Sequence, residues 1–142
     1  MTIKGMCLCE KVRYEISSEL GPIFNCHCSK CRRWHGAAFR TRASIKAEHF
    51  KIVAGANEIA AFDSSEKVTK HFCRTCGSNL HSTYADRPDL VGIPLGALEG
   101  VEQKPEGHIF TEFKASWYDI TDALPQFPQW PGSIEKVRAT KS

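Results

Sequence analysis

The sequence has no marked excess of either charge: 19 Lys and Arg stand against 16 Asp and Glu, for a formal net charge of +3. Proteins that hold nucleic acid through its phosphates carry a stronger basic excess gathered into a stripe or tail. Here the basic residues are scattered apart from Lys30, Arg32 and Arg33, so no nucleic-acid partner is expected. No run of about 18 apolar residues is present to cross a bilayer. The opening Met-Thr-Ile-Lys-Gly-Met-Cys lacks the apolar segment of a signal peptide. The expectations are no membrane partner and a cytoplasmic location. Internal repeats, low-complexity segments and linkers are absent, and Asp and Glu show no pairing that suggests general acid–base work. Helical periodicity is never sustained over a dozen residues. With 42% hydrophobic and 25% charged residues, the chain is also not of disordered composition.

What is present is alternation. Val12, Tyr14 and Ile16 alternate with Lys11, Arg13 and Glu15, and Phe50, Ile52 and Ala54 alternate with Lys51 and Val53. Successive side chains on a strand point to opposite faces, so each stretch reads as half-buried strand. Six further strands are predicted over 37–42, 59–62, 67–72, 79–84, 90–95 and 108–113, separated by turn signals such as Gly55-Ala56-Asn57. The fold class is therefore mainly β, and the length fits one domain over 1–142. Pro125, Pro128 and Pro131 exclude a regular helix or central strand from the C-terminal part. The segment 124–142 reads as an extended Pro-rich arm, with Phe127 and Trp130 as anchors.

Seven cysteines are the strongest signal, and they fall into three clusters: Cys7/Cys9, Cys26/Cys28/Cys31 and Cys73/Cys76. In a reducing compartment, clustered thiols point to metal or catalysis rather than disulfides. Cys7 and Cys9, on an extended chain, would offer two sulfurs from one face. Two residues between cysteines let a tight turn close on zinc, as at Cys73/Cys76 and Cys28/Cys31, and Gly77 suits such a turn. Cys7, Cys9, Cys73 and Cys76 together make a complete tetrahedral set. Cys26, Cys28 and Cys31 remain as three ligands with a vacant fourth position, the arrangement of a catalytic zinc. The alternative is a second closed site, with His27, His35 or His71 as its fourth ligand. His35 is the best placed of these by its four-residue step from Cys31, whereas His27 would point away from a metal bound by its neighbours.

Gly5-Met6-Cys7-Leu8-Cys9, Cys26-His27-Cys28-Ser29-Lys30-Cys31-Arg32-Arg33-Trp34-His35-Gly36 and Phe72-Cys73-Arg74-Thr75-Cys76-Gly77-Ser78 together resemble the glutathione-dependent formaldehyde-activating enzyme family. The stretch from His108-Ile109-Phe110 through Trp117-Tyr118-Asp119-Ile120 to Leu124-Pro125 is similar to the family's C-terminal part. The resemblance implies several coiled antiparallel β-sheets organised around zinc, with two zinc ions per chain. It makes Cys7, Cys9, Cys73 and Cys76 structural ligands and Cys26, Cys28 and Cys31 catalytic ones. Glu10 departs from it, because the family usually has glycine there, and an unusual backbone turn would cost glutamate more.

The activity implied is that of a carbon–sulfur lyase like S-(hydroxymethyl)glutathione synthase, joining a thiol, glutathione by the resemblance, to formaldehyde or a related electrophile. Three thiolates around zinc carry a net negative charge that opposes a fourth anion. Lys30, Arg32 and Arg33 are candidates to offset it and to hold the glutathione carboxylates. A different class stays open: a non-catalytic, zinc-stabilised module that docks a protein or nucleic acid through the same basic loop.

Overall fold

The computed structural model describes residues 2–131, so the part of the predicted arm from 132 to 142 lies outside the described residues. In chain order the strands are β1 (Ile3–Met6), β2 (Arg13–Ile16), β3 (Phe24–Cys26), β4 (Arg40–Lys46), β5 (Phe50–Ala54) and β6 (Ile59–Asp63). They continue as β7 (Val68–Cys73), β8 (Asn79–Tyr84), β9 (Leu90–Pro94), β10 (Leu98–Glu99) and β11 (Gly107–Ile109), and a helix, α1 (Ser29–His35), lies between β3 and β4. The chain is mainly β, as the alternation implies. β11 pairs with β3 in parallel, while β1 with β2 and β10, β2 with β5, β3 with β4, and β8 with β7 and β9 pair antiparallel, as does β6 with β7.

The described residues divide into two compact units, 2–21 with 43–103 and 22–42 with 104–131. The first unit holds a four-stranded sheet in the order β10-β1-β2-β5 and the run β9-β8-β7-β6. Its buried side chains include Ile3, Val12, Tyr14, Ile16, Ile45, Leu80, Val91 and Ile93. Gly5 faces Tyr14 across the β1–β2 pair, and a Cβ at Gly5 would stand 2.3 Å from the tyrosine ring. Only glycine lets that ring lie against the backbone. β7 and β8 place His71 opposite His81, and their rings stack in parallel at 4.2 Å.

The second unit is built on β3, with β11 parallel on one side and the start of β4 antiparallel on the other. Residues 124–127 run beside β11, with Gln126 bridging His108, and 128–131 bend away from a regular strand. The Phe127 N–H donates to the His108 carbonyl, and the His108 N–H to that of Pro125. Phe127 and Phe24 pack on a core of Cys26, Cys31, Ile109 and Phe110, while Trp130 stands edge-on to Phe110 at 5.5 Å and lies under the Arg42 guanidinium.

Three boundaries differ from the sequence reading. The strand expected over 37–42 begins at Arg40, because α1 ends on Gly36 in the left-handed conformation and the chain must turn before it can extend. The strand expected over 108–113 stops at Ile109, where Phe110 takes φ 55° and a single 3-10 turn follows. Cys7 and Cys9 do not sit on an extended strand. They lie in a turn after β1, closed by the Glu10 N–H donating to the Cys7 carbonyl, with Glu10 itself at φ 65°.

Candidate metal centres

Each unit contains one cysteine group. In the first, the turn after β1 supplies Cys7 and Cys9, and the turn after β7 supplies Cys73 and Cys76, so that all four sulfurs lie within 4.8 Å of one another. Cys7 and Cys9 sulfurs are 3.5 Å apart, and Cys9 and Cys73 sulfurs 3.8 Å. A tetrahedral ion with metal–sulfur bonds of about 2.3 Å has sulfur–sulfur edges of about 3.8 Å. The thiols are free, and their spacing suits a shared ion rather than a disulfide, whose sulfurs would be about 2 Å apart.

Backbone geometry explains how two turns deliver four sulfurs. In the second turn the Gly77 N–H donates to the Cys73 carbonyl and the Cys73 N–H to that of Ser78. Gly77 adopts φ 80°, the conformation its place in the turn requires. The Val12 N–H donates to Cys7 Sγ, and the Leu8 N–H to Ser78 Oγ. The Cys76 thiol donates to the same Ser78 Oγ, 3.2 Å away. That hydroxyl, with backbone N–H groups, holds the Cys76 thiol down to about 5. Cys9 goes the other way, to about 12: the Lys11 backbone favours its thiolate, but desolvation and the Cys7, Cys76 and Cys73 sulfurs outweigh that help. Four crowded sulfurs cannot all ionise unless a cation shares them, so the donor set fits a divalent soft ion.

The second group is more enclosed. Cys26 ends β3, Cys28 caps α1, and Cys31 lies in its first turn, with all three sulfurs within 4.8 Å of one another. The Cys31 N–H donates to Cys28 Sγ at 3.3 Å, so the helix start itself orients one donor. Cys26 and Cys31 are buried. Hydrogen bonding with Cys28 and Cys31, then burial, pushes the Cys26 thiol strongly up. At Cys31, the bond from Cys26 and the Arg40 guanidinium favour the thiolate, yet the influence of Cys28 and burial still raise it. This set also fits a soft cation, which would relieve the same conflict. Among the described residues no histidine or carboxylate joins either group of sulfurs.

His27, one of the histidines considered as a fourth ligand, is fully buried with its ring against Phe39, 5.0 Å between centroids. Its Nε2 lies 2.8 Å from His108 Nδ1, and His108 Nε2 lies 3.0 Å from an Asp122 carboxylate oxygen. A carboxylate only accepts, so His108 donates to Asp122 through Nε2, and its Nδ1 is shared with His27 Nε2. Burial and the positive surroundings of His108, Lys114 and Arg32 hold His27 down to about 4. His71 bonds Thr83 within the first unit. Neither His27 nor His71 is presented to the three sulfurs, and His35 is not among their grouped ligand atoms.

Of the three basic residues singled out, Lys30 and Arg33 are exposed on α1. Arg32 is half-buried, and its Nε has no hydrogen-bond partner. Sequence reasoning missed Arg40, which is 5% exposed and sits opposite Cys26 across the β3–β4 pair. The only signal for it was an arginine, followed two residues later by Arg42, at the inward positions of a strand. It also missed the pairing of His108, on β11, with Asp122 in the segment that follows.

Comparison with known proteins agrees with the motif pattern. A family model described as glutathione-dependent formaldehyde-activating enzyme matches residues 2–113. An uncharacterized lyase of Schizosaccharomyces pombe is 22% identical over 87% of the chain and 89% of its own length. A protein of Phaeosphaeria nodorum, provisionally named a glutathione-dependent formaldehyde-activating enzyme, is 28% identical over 93% of the chain, which spans 66% of that relative. A Rhodobacter sphaeroides protein of known crystal structure is similar with a TM-score of 0.58 and 28% identity, over 70% of this chain and 90% of its own. No helix among the described residues is long and apolar enough to cross a membrane.

Proposed function

Because the chain belongs to the glutathione-dependent formaldehyde-activating enzyme family, we propose that it is a zinc-dependent carbon–sulfur lyase that joins a thiol such as glutathione to formaldehyde or a related electrophile. The observation that carries this reading is the unequal sharing of seven cysteines into groups of four and three, with no further ligand at the smaller one among the described residues. Cys7, Cys9, Cys73 and Cys76 hold a structural zinc, and Cys26, Cys28 and Cys31 a catalytic one. Zinc at the second group supplies the Lewis acidity that keeps a thiol ionised near neutral pH.

Ionisation alone is a modest contribution. A thiol with pKa about 8.5 is roughly 3% ionised at pH 7, so full ionisation gives about thirty-fold at most. Placement must supply the rest. The chain does this with Cys26 on a strand end and Cys28 and Cys31 on the first helical turn, both stiff supports. Phe24, Phe113 and Phe127, packed on the same core, exclude water from one side of the sulfurs. Arg32 is the best placed of the basic residues to grip a glutathione carboxylate, because its half-buried guanidinium has an Nε without a partner. Lys30 and Arg33, being exposed, steer the anion. In the forward direction the sulfur electron pair forms a bond to the carbonyl carbon, the C=O π pair moves to oxygen, and that oxygen takes a proton. The reverse breaks the carbon–sulfur bond and returns the thiol and aldehyde.

Exchange spectroscopy with carbon-13 formaldehyde and glutathione tests the proposal. The protein is expected to speed interconversion of free and adducted formaldehyde, and Cys28→Ser to return it to the uncatalysed rate. Unaltered exchange by protein that retains its metal would overturn the reading and favour the non-catalytic module.

A further inference from the structure

Arg40 has an unusual position. It opens β4 directly opposite Cys26 in an antiparallel pair, and side chains of directly opposed residues share a face with their Cβ atoms about 5 Å apart. It is almost completely buried, and its Nε is buried with no hydrogen-bond partner. No carboxylate among the described residues forms an ion pair with it. A guanidinium stays charged in a protein, so this is a buried cation without a carboxylate counter-ion, and such a charge is costly unless an anion compensates it. The β3–β4 register sets Arg40 beside Cys26, one of the three grouped sulfurs that can carry negative charge. An arginine present only to tie strands together would spend Nε–H on a carbonyl.

We propose that Arg40 is the specificity-determining cation of the three-cysteine centre, selecting an anionic sulfur donor over a neutral ligand at the position the cysteines leave. The inference rests on the function proposed above. Three thiolates around a divalent ion leave one net negative charge, and a fourth thiolate makes it two. Arg40 returns the count to one within a region from which water is largely excluded, where Coulomb attraction is little screened. Lys30 and Arg33, exposed on α1, act through solvent and cannot do the same. A neutral donor such as imidazole adds no charge, gains nothing from the guanidinium, and is disfavoured by comparison.

The test uses the full chain with cobalt in place of zinc, titrated with 2-mercaptoethanol, glutathione and imidazole while the ligand-field absorption is followed. 2-Mercaptoethanol has a thiol and no carboxylate, so it separates the sulfur from the rest of glutathione. Arg40→Gln and the apolar near-isostere Arg40→Met are expected to weaken both thiols by at least about tenfold, to leave imidazole unchanged or tighter, and to keep both metals. Arg40→Lys, which keeps the charge, is expected to recover most of the thiol affinity. Equal losses for thiol and imidazole, or none for either, overturn the inference and leave the proposed function standing. Loss of metal from both neutral variants overturns it too, since the charge would then serve structure. If the wild-type protein binds no thiol, the proposed function and this inference fall together.

Discussion

The two cysteine groups use the same side chain in opposite surroundings. In the first unit the four sulfurs are carried by two turns, are hydrogen-bonded by the Val12 N–H and to Ser78 Oγ, and reach the surface at Cys9. In the second unit three sulfurs lie on a strand end and a helix start, backed by phenylalanines and faced by a buried arginine. The first group offers a full tetrahedral set, so on the proposed reading an ion there would do little except hold the two turns together. The second lacks a ligand and has more elaborate surroundings, and protein groups arranged around an incomplete ligand set are what tune a reacting ion. Ligand count and burial together are what the proposed function uses to separate a structural group from a catalytic one.

The sharpest way to break this contrast is to remove one sulfur from each group. Cys73→Ser is expected to unfold the first unit or lower its melting point by more than about 10 °C, because structural zinc binding is worth of the order of 10 kcal/mol to folding. Cys28→Ser is expected to lower bound zinc from two ions per chain to one, with a smaller fall in melting temperature. Thermal melts paired with metal counts decide it. Equal destabilisation by both would erase the distinction between the groups.

A smaller effect separates the first unit by pH. Burial, and then His71, hold the stacked His81 down to about 3, and burial also depresses His71 against the raising influence of Asp63. In the unfolded chain these rings take protons near pH 6.5. Between that pH and the folded values the unfolded state binds more protons, so stability is fully present above about 6.5 and declines as pH falls, by at most about 1.4 kcal/mol per pH unit per ring. Replacing His81 with phenylalanine keeps a ring beside Phe50 and removes one such proton. The melting temperature of His81→Phe is expected to fall less than wild type between pH 6.5 and 5, a range chosen to limit acid release of metal. Parallel curves would show that the stacked pair is not an acid-sensitive element of this unit.

Much of the contrast was readable from spacing alone. The division into four and three follows from which cysteines stand in isolated pairs, and strands such as Asn79–Tyr84 follow from alternation. β1 and β3 were not marked, because strands of four and three residues give too few alternations and both run directly into ligand residues. α1 escaped because seven residues do not repeat a helical face. Arg40 and the His27–His108–Asp122 chain were invisible for a different reason: they depend on strand register and on residues far apart in sequence. Local pattern shows which residues can bind a metal. Which charges surround them is set by pairing, and pairing is non-local.

The smallest predicted effect concerns Glu10, in the turn that carries Cys7 and Cys9. Glu10 sits at φ 65°, and a non-glycine residue in the left-handed region costs about 1–2 kcal/mol. Its compensation is a 3.1 Å contact between its carboxylate and Arg13, both largely exposed, and such surface pairs contribute about 0–1 kcal/mol. Glycine would remove the strain but lose more freedom on folding, a cost of roughly 0.5–1 kcal/mol. At mid-range values the balance favours Glu10→Gly by a few tenths of a kcal/mol, or roughly 1 °C in melting temperature for a chain of this size. Glu10→Ala keeps the strain and loses the ion pair, so it is expected to fall slightly below wild type. The pair of variants separates backbone from charge. If Ala and Gly shift the melting temperature equally, the left-handed turn after Cys9 is not under strain, and the ion pair alone governs that position. If Gly raises stability and Ala does not, the first metal centre tolerates a backbone cost at its rim, which four sulfurs bound to one ion are strong enough to hold.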